Sequence, residues 1–334
     1  MIFMVKPNIM KKIILFASLI LAAVSVTFVS CNKEEVINEV TETTEVFEGR
    51  KCAAHDVLQE DLKSDPSLQK RMDDIERFTE EFVSQRRLLS TGVIEIPVVV
   101  NVLYKTAAQN ISDAQIQSQI TVLNNDFKAL NSDYNNTPSF FQPTRSGNFG
   151  IQFVLETVNR KSTTKTSWST NNAMKFNSQG GINATSPTTK LNIWVCNMGN
   201  GILGYAQFPG GASSTDGVVI DDNAFGTVGT VTSPFNKGRT ATHEVGHWLN
   251  LRHIWGDATC GSDLVSDTPQ HNTANYGCPT YPHLSTCTGT PVEMTMNYMD
   301  YTNDACMYMF TQGQKTRAMA VFAVGGPRNS FAQP

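Results

Sequence analysis

The spacing of three histidines restricts this chain's local folding more than any other feature. His243-Glu244-Val245-Gly246-His247 sets two imidazoles four residues apart. On a helix of about 3.6 residues per turn such residues share a face and can grip one ion. His253 follows six residues after His247, a spacing at which a third imidazole cannot join the pair on a continuing helix. The helix must therefore end between them. Asn250 is the residue placed to end it, because Asn tolerates left-handed backbone better than any residue except Gly. Glu244, beside the first histidine, can reach a water on an ion held there. Metal-assisted hydrolysis needs that set: zinc acidifies water and polarises a carbonyl, and a carboxylate moves the proton to the leaving amine. The alternative is an inactive zinc-containing surface binding protein. Glu244 argues against it, since a structural zinc needs no base and usually fills its fourth position with protein.

The chain around this motif has 334 residues, 40% hydrophobic and 17% charged, enough for one large catalytic domain and an appendage. A net charge of −4 and the lack of a basic stripe with interleaved aromatics exclude nucleic acid as an expected partner. Lys11 and Lys12 precede an apolar run over residues 13–29 that exits at Ser30-Cys31, which describes an export signal over residues 1–30 better than a membrane span. Met10 is the more typical start for such a signal. Phe28-Val29-Ser30-Cys31 resembles a bacterial lipoprotein processing box, which implies lipidation of Cys31 and a membrane anchor. Lys33-Glu34-Glu35 resembles the signal for the outer cell surface. An ordinary secretory signal and an uncleaved anchor are the alternatives.

Residues 31–90 hold half of the 30 acidic residues and read as a tether followed by a pro-region. Leu58, Leu62, Leu68, Met72, Ile75 and Phe78 recur at helical spacings interrupted near Pro66, and Arg86-Arg87 offers a processing point. Residues 91–334 read as the catalytic domain. Strands are expected over residues 94–104, 151–155, 191–195 and 217–221. A helix should start at Ser112-Asp113 with Ile116, Ile120, Leu123, Phe127 and Leu130 as its apolar stripe. Residues 204–209 suit an edge strand, because Pro209 cannot serve in a central one. Beyond Trp255 the chain is irregular. Cys260, Cys278, Cys287 and Cys306 there read as two disulfides, with three connectivities open. Cys196 reads as a buried free thiol. His55, His271 and His283 have no partners at ligand spacing and read as surface residues.

The run from His243 to His253 resembles the long zinc-binding motif of the metzincins, with Asn250 where Gly is usual. Met296-Asn297-Tyr298-Met299-Asp300-Tyr301 resembles the Met-turn of the pappalysin family, in particular its bacterial ulilysin-like members. That resemblance implies an α/β (α+β), zincin-like catalytic domain. Its parts are a twisted, mostly parallel sheet, an active-site helix and an irregular, disulfide-bonded lower subdomain. The implied protein is a secreted or surface-anchored zinc endopeptidase acting on proteins or peptides. Met299 would support the zinc site, and Tyr301 would hydrogen-bond near the metal or the tetrahedral intermediate. Residues 204–211 resemble the family's upper-rim strand, which can pair with an extended substrate; a glycine-rich loop without substrate contact is the bland reading.

The same resemblance implies several finer expectations. Arg50-Lys51-Cys52 resembles the pro-region cysteine switch, with Cys52 as a fourth zinc ligand in a latent zymogen; a free or intermolecularly paired thiol is the alternative. Asp304 occupies the position that in ulilysin-like enzymes favours Arg or Lys just after the cut bond, as against a surface aspartate or calcium ligand. Such an enzyme could cut its own chain before Arg86 or Arg87. Family spacing implies disulfides Cys260–Cys287 and Cys278–Cys306. Residues 263–268 resemble a calcium-binding stretch, with Asp263 and Thr268 as ligands, or else form an Asx-rich turn.

Overall fold

A computed structural model describes residues 49–85 and 92–332. The export signal, Cys31, Lys33-Glu34-Glu35 and Arg86-Arg87 lie outside the described residues. Among the described residues no helix is long and apolar enough to cross a membrane.

The β-branched run becomes strand β1, Ile94–Tyr104, which is buried on both faces from Val98 to Leu103. Burial on both faces requires neighbours on both sides and cover above and below. Strands β2 (Ile151–Ser162) and β3 (Leu191–Cys196) pair with β1 in parallel. Strand β4 (Gly204–Ala206) pairs antiparallel to β5 (Val218–Asp221), which itself runs parallel to β3. The five-stranded order is β2-β1-β3-β5-β4, so β4 is the edge and Pro209 lies past its end.

At its N-terminus, helix α3 (Asp113–Phe127) is capped by the Ser112 side chain, which accepts from the Gln115 amide. Its Ile116, Ile120, Leu123 and Phe127 enter the core against the sheet. The stripe stops one residue short of the expectation. Ala129 turns left-handed at φ 55°, and Leu130 is left 68% exposed.

N-terminal to the sheet, α1 (Ala54–Ser64) and α2 (Ser67–Ser84) flank Pro66, as the broken apolar pattern requires. Both pack into the same compact unit as the rest of the described chain. Phe78 and Phe82 of α2 meet Ala320 and Ala323 at the end of α5 (Gln312–Ala320). Glu76 grips Arg317 of α5 through two bonds of 2.6 Å. The irregular segment carries the disulfides Cys260–Cys287 and Cys278–Cys306, the pairing that the family resemblance implied. Cys196 is a buried free thiol.

Helix α4 (Arg239–Trp248) is tied to the rim of the sheet by a buried ion pair. Arg328 makes a fork to Asp216 at 2.7 and 2.8 Å and donates to the Trp248 carbonyl at 2.9 Å. Its guanidinium stacks 4.0 Å over the Trp248 ring. Removing one partner strands a buried charge, so Arg328→Ala should lower the unfolding free energy by about 3–5 kcal/mol. A loss below about 1 kcal/mol in chemical denaturation would show that the pair adds little beyond a surface bridge.

Candidate active site and metal centre

All ten residues of α4 are buried, His243, Glu244 and His247 among them. The helix ends where the spacing demands. Asn250 turns left-handed at φ 70°, and the Leu251 amide closes the turn on the Gly246 carbonyl at 2.9 Å. The reversal brings His253 back to the pair. His247 Nε2 lies 3.2 Å from His243 Nε2 and 3.0 Å from His253 Nε2. Nitrogens held about 2.0–2.1 Å from one tetrahedral ion are about 3.3 Å apart, so this donor set fits zinc.

Each ring's other nitrogen faces an acceptor. His243 Nδ1 meets the Tyr298 carbonyl at 2.7 Å, His247 Nδ1 the Leu251 carbonyl at 2.8 Å, and His253 Nδ1 the Asp257 carboxylate at 2.5 Å. These acceptors put the proton on Nδ1 and leave the Nε2 lone pair free for a metal. Burial, with the neighbouring imidazoles, holds His243 well below its ordinary range and His247 down to about 3. Those two rings are therefore neutral.

Cys52 supplies a fourth donor, and its sulfur and the three imidazoles lie within 4.8 Å of one another. Its thiol donates to Glu244 Oε2 at 3.4 Å. Burial and the Glu244 charge push that thiol well up from its ordinary range when no metal is bound. The residues around Cys52 run beside β4 as an added strand. Leu203 N donates to Lys51 O at 2.9 Å and Ala53 N to Gly204 O at 3.0 Å. Only Gly fits at 204, where a Cβ would sit 2.8 Å from Val219 O and 3.1 Å from Glu244 Cγ. Burial drives the Glu244 carboxyl up to about 8, with the Cys52 bond and the Arg50 charge pulling it back.

Beneath the histidines, Met299 is fully buried and packs against α4 so tightly that a Cβ on Gly246 would lie 2.5 Å from its sulfur. The Asn297 side chain accepts from the Met299 amide at 2.9 Å, fixing the turn that aims the Tyr298 carbonyl at His243. Tyr301 Oη donates to the Cys52 carbonyl at 3.0 Å, and its ring stands edge-on to His253 at 4.9 Å.

Asp304 is fully buried beside the start of α4. Its Oδ2 accepts from the amides of Lys237 and Arg239 at 2.8 and 3.2 Å, at the N-terminus of α4, where a negative charge is stabilised. Its Oδ1 takes Arg50 Nη2 at 2.5 Å. Arg50 also donates to Thr240 Oγ1 at 3.0 Å and to the Thr302 carbonyl at 3.3 Å, with Phe235 5.0 Å beneath the guanidinium.

Comparison with known proteins agrees with this geometry. The peptidase M43 family, described as pregnancy-associated plasma protein-A, matches residues 183–323. An extracellular metalloprotease of Pyricularia oryzae is 37% identical over 228 residues, 65% of this chain and 70% of the relative. The chain belongs to the pappalysin family. Another extracellular metalloprotease, from Arthroderma otae, is 33% identical to this pappalysin over 68% of its chain and 77% of the relative. A mutant of promirolysin from Tannerella forsythia superposes with a TM-score of 0.78 at 44% identity, over 85% of this chain and 97% of that one. Mature mirolysin of the same organism, in complex with a cleaved peptide, gives 0.70 at 48% identity, over 73% and 97%. The chain is thus a zinc metalloendopeptidase acting on peptide substrates.

Three features of this pappalysin depart from the sequence reading or escape it. His271 is no surface residue; it is fully buried. Its Nε2 accepts from the Met294 amide at 2.9 Å, and its Nδ1 lies 3.5 Å from Asp300. The buried carboxylates of Asp300 and Glu293 below the Met-turn need donors, and this draws the ring in. His55 and His283 are half-buried, paired with Asp257 at 3.3 Å and Glu293 at 3.1 Å. Arg50 and Asp257 were not singled out as site residues. The signal for Arg50 was its place two residues before Cys52, which on an extended segment puts both on one face. For Asp257 it was the four-residue step after His253.

Proposed function

We propose that this pappalysin is exported as a latent zymogen and, once residues 31–87 are removed, cleaves peptide bonds just before Arg or Lys. One observation carries the reading: Arg50 is buried in a pocket built for a guanidinium, two residues from a cysteine at the histidine cluster. The segment around Cys52 takes the β4 edge that an extended substrate would use, and Arg50 takes the place of the residue after the cut. The promirolysin match covers more of this chain than the mature mirolysin match does, which supports reading the N-terminal segment as a pro-region. Export is supported by the apolar leader and by relatives named extracellular. Lipidation at Cys31 accords with the leader's exit.

His243, His247 and His253 would hold zinc, with Cys52 as fourth ligand in the latent form. When bound, zinc lowers the pKa of water and polarises a carbonyl. Glu244 accepts the proton and returns it to the leaving nitrogen. The Tyr301 hydroxyl, released from the Cys52 carbonyl, is free to donate to the developing oxyanion. Asp304 Oδ1 orients the substrate's guanidinium or ammonium. Calcium is the matching proposal for residues 263–268. There Thr268 Oγ1 gathers both Asp263 carboxylate oxygens and the Val265 carbonyl within 2.8–3.0 Å, a cluster of hard donors.

A peptide library treated with the chain lacking residues 31–87 should be cut before Arg and Lys. In Asp304→Ala, kcat/KM for an Arg peptide should fall about 30-fold or more, the loss of about 2 kcal/mol or more expected for a buried charge pair. A peptide with Leu there should be cut as before, which controls for damage to α4. Unchanged selectivity in Asp304→Ala would remove the pocket assignment.

A further inference from the structure

The three candidate ligands differ in what supports them. His243 and His247 direct Nδ1 to backbone carbonyls, whose positions follow from the fold. His253 alone relies on a side chain, the Asp257 carboxylate at 2.5 Å. The residues between them make a tight loop that exists only with unusual backbone. Gly256 and Asp257 take left-handed φ of 65° and 56°, and a Cβ on Gly256 would meet Ser262 N at 2.5 Å. Consecutive left-handed residues, one of them not Gly, cost energy and persist where the surrounding structure imposes them. Here they return Asp257 to the edge of the His253 ring. Trp255, within the same loop, stacks flat on that ring at 4.3 Å and 6°. The ring plane is thus fixed by Trp255 and its tautomer by Asp257.

We propose that Asp257 is a positioning residue for metal binding. Its Oδ1 holds His253 in the Nδ1–H form with Nε2 aimed at the ion, and its charge strengthens that ring as a donor. The proposal rests on the zinc site assigned above. The second oxygen of the same carboxylate, Oδ2, takes His55 of α1 at 3.3 Å. The N-terminal segment is therefore anchored through His55 to the support of the third ligand, as well as through Arg50 and Cys52 to Asp304 and Glu244. The two contacts use different oxygens, so they can be separated by mutation.

The test measures zinc affinity of the full chain by competition with a chromogenic chelator, and the visible absorption of the cobalt(II)-substituted chain. Asp257→Ala should weaken zinc binding about 10- to 100-fold and shift the cobalt bands. Asp257→Asn keeps an acceptor oxygen without the charge and should lose less than Asp257→Ala. It also carries the test if Asp257→Ala misfolds, with circular dichroism as the check. His55→Ala should leave affinity and bands as in the parent. Parental affinity and spectrum in both Asp257 variants would overturn the proposal. So would a loss in His55→Ala as large as that in Asp257→Ala, because the carboxylate would then act through the N-terminal segment. A parent chain that binds no zinc would refute the underlying metal site instead, an outcome distinct from both.

Discussion

Glu244→Ala should abolish peptide cleavage while zinc stays bound. Removing a positioned general base typically costs about 10²–10⁴-fold in turnover, and none of the three imidazoles leans on this side chain. The three imidazoles keep their Nδ1 acceptors at Tyr298, Leu251 and Asp257, so the stoichiometric zinc content should match the parent. With the Cys52 segment in place Glu244 is 1% exposed, and burial in that latent arrangement raises its carboxyl to about 8. Removal of the Cys52 segment opens the carboxyl to solvent, and a cation held by the neighbouring imidazoles favours the carboxylate that accepts a proton. The variant should be assayed with residues 31–87 removed, so that latency does not mimic loss of catalysis. Glu244→Gln keeps the size and loses the proton acceptor, and it should be as inactive as the alanine variant. Turnover within tenfold of the parent in either variant, with zinc present, would remove Glu244 from the mechanism.

The parts of this site that are legible in the sequence are those whose geometry is local. The His243–His247 pair and the turn at Asn250 follow from helical period and one left-handed residue, and both formed as the spacing demanded. The strands at residues 94–104 and 191–196 announced themselves because central parallel strands are apolar on both faces. Leu130 fell outside the core because Ala129 broke the helix, and nothing in the apolar period marks that break. His271 was misplaced for a different reason. Its burial is set by Asp300 and Glu293, and spacing along the chain does not report such contacts. Arg50 shows the same limit at longer range: 254 residues separate it from Asp304, and only the fold brings guanidinium and carboxylate together. Met299 and Tyr301 were legible through family resemblance, since a Met-Tyr-rich stretch alone reads as core.

Latency should fail in steps as its separate contacts are removed, and Arg50 should matter as much as Cys52. Cys52→Ala deletes a zinc ligand, yet it leaves Arg50 in its pocket and the residue 51 and 53 bonds to β4 in place. Glu76 still holds Arg317, and Phe82 still packs on Ala320 and Ala323. The single variant should therefore gain only part of the activity of the processed enzyme. Arg50→Ala removes a buried, charge-assisted contact of the kind worth about 2–5 kcal/mol, about 30- to 5,000-fold in a closed–open equilibrium. It leaves Asp304 tolerably placed, because the amides of Lys237 and Arg239 still hold its Oδ2. The double variant Arg50→Ala/Cys52→Ala should then cleave an Arg-containing peptide faster than either single variant while its chain is still whole. Initial rates read alongside gels taken before any processing make the measurement. Both single variants as silent as the parent, with the double variant silent too, would mean that α1 and α2 alone bar the cleft. In that case the helices would carry latency, and the substrate-like seat of Arg50 would be incidental.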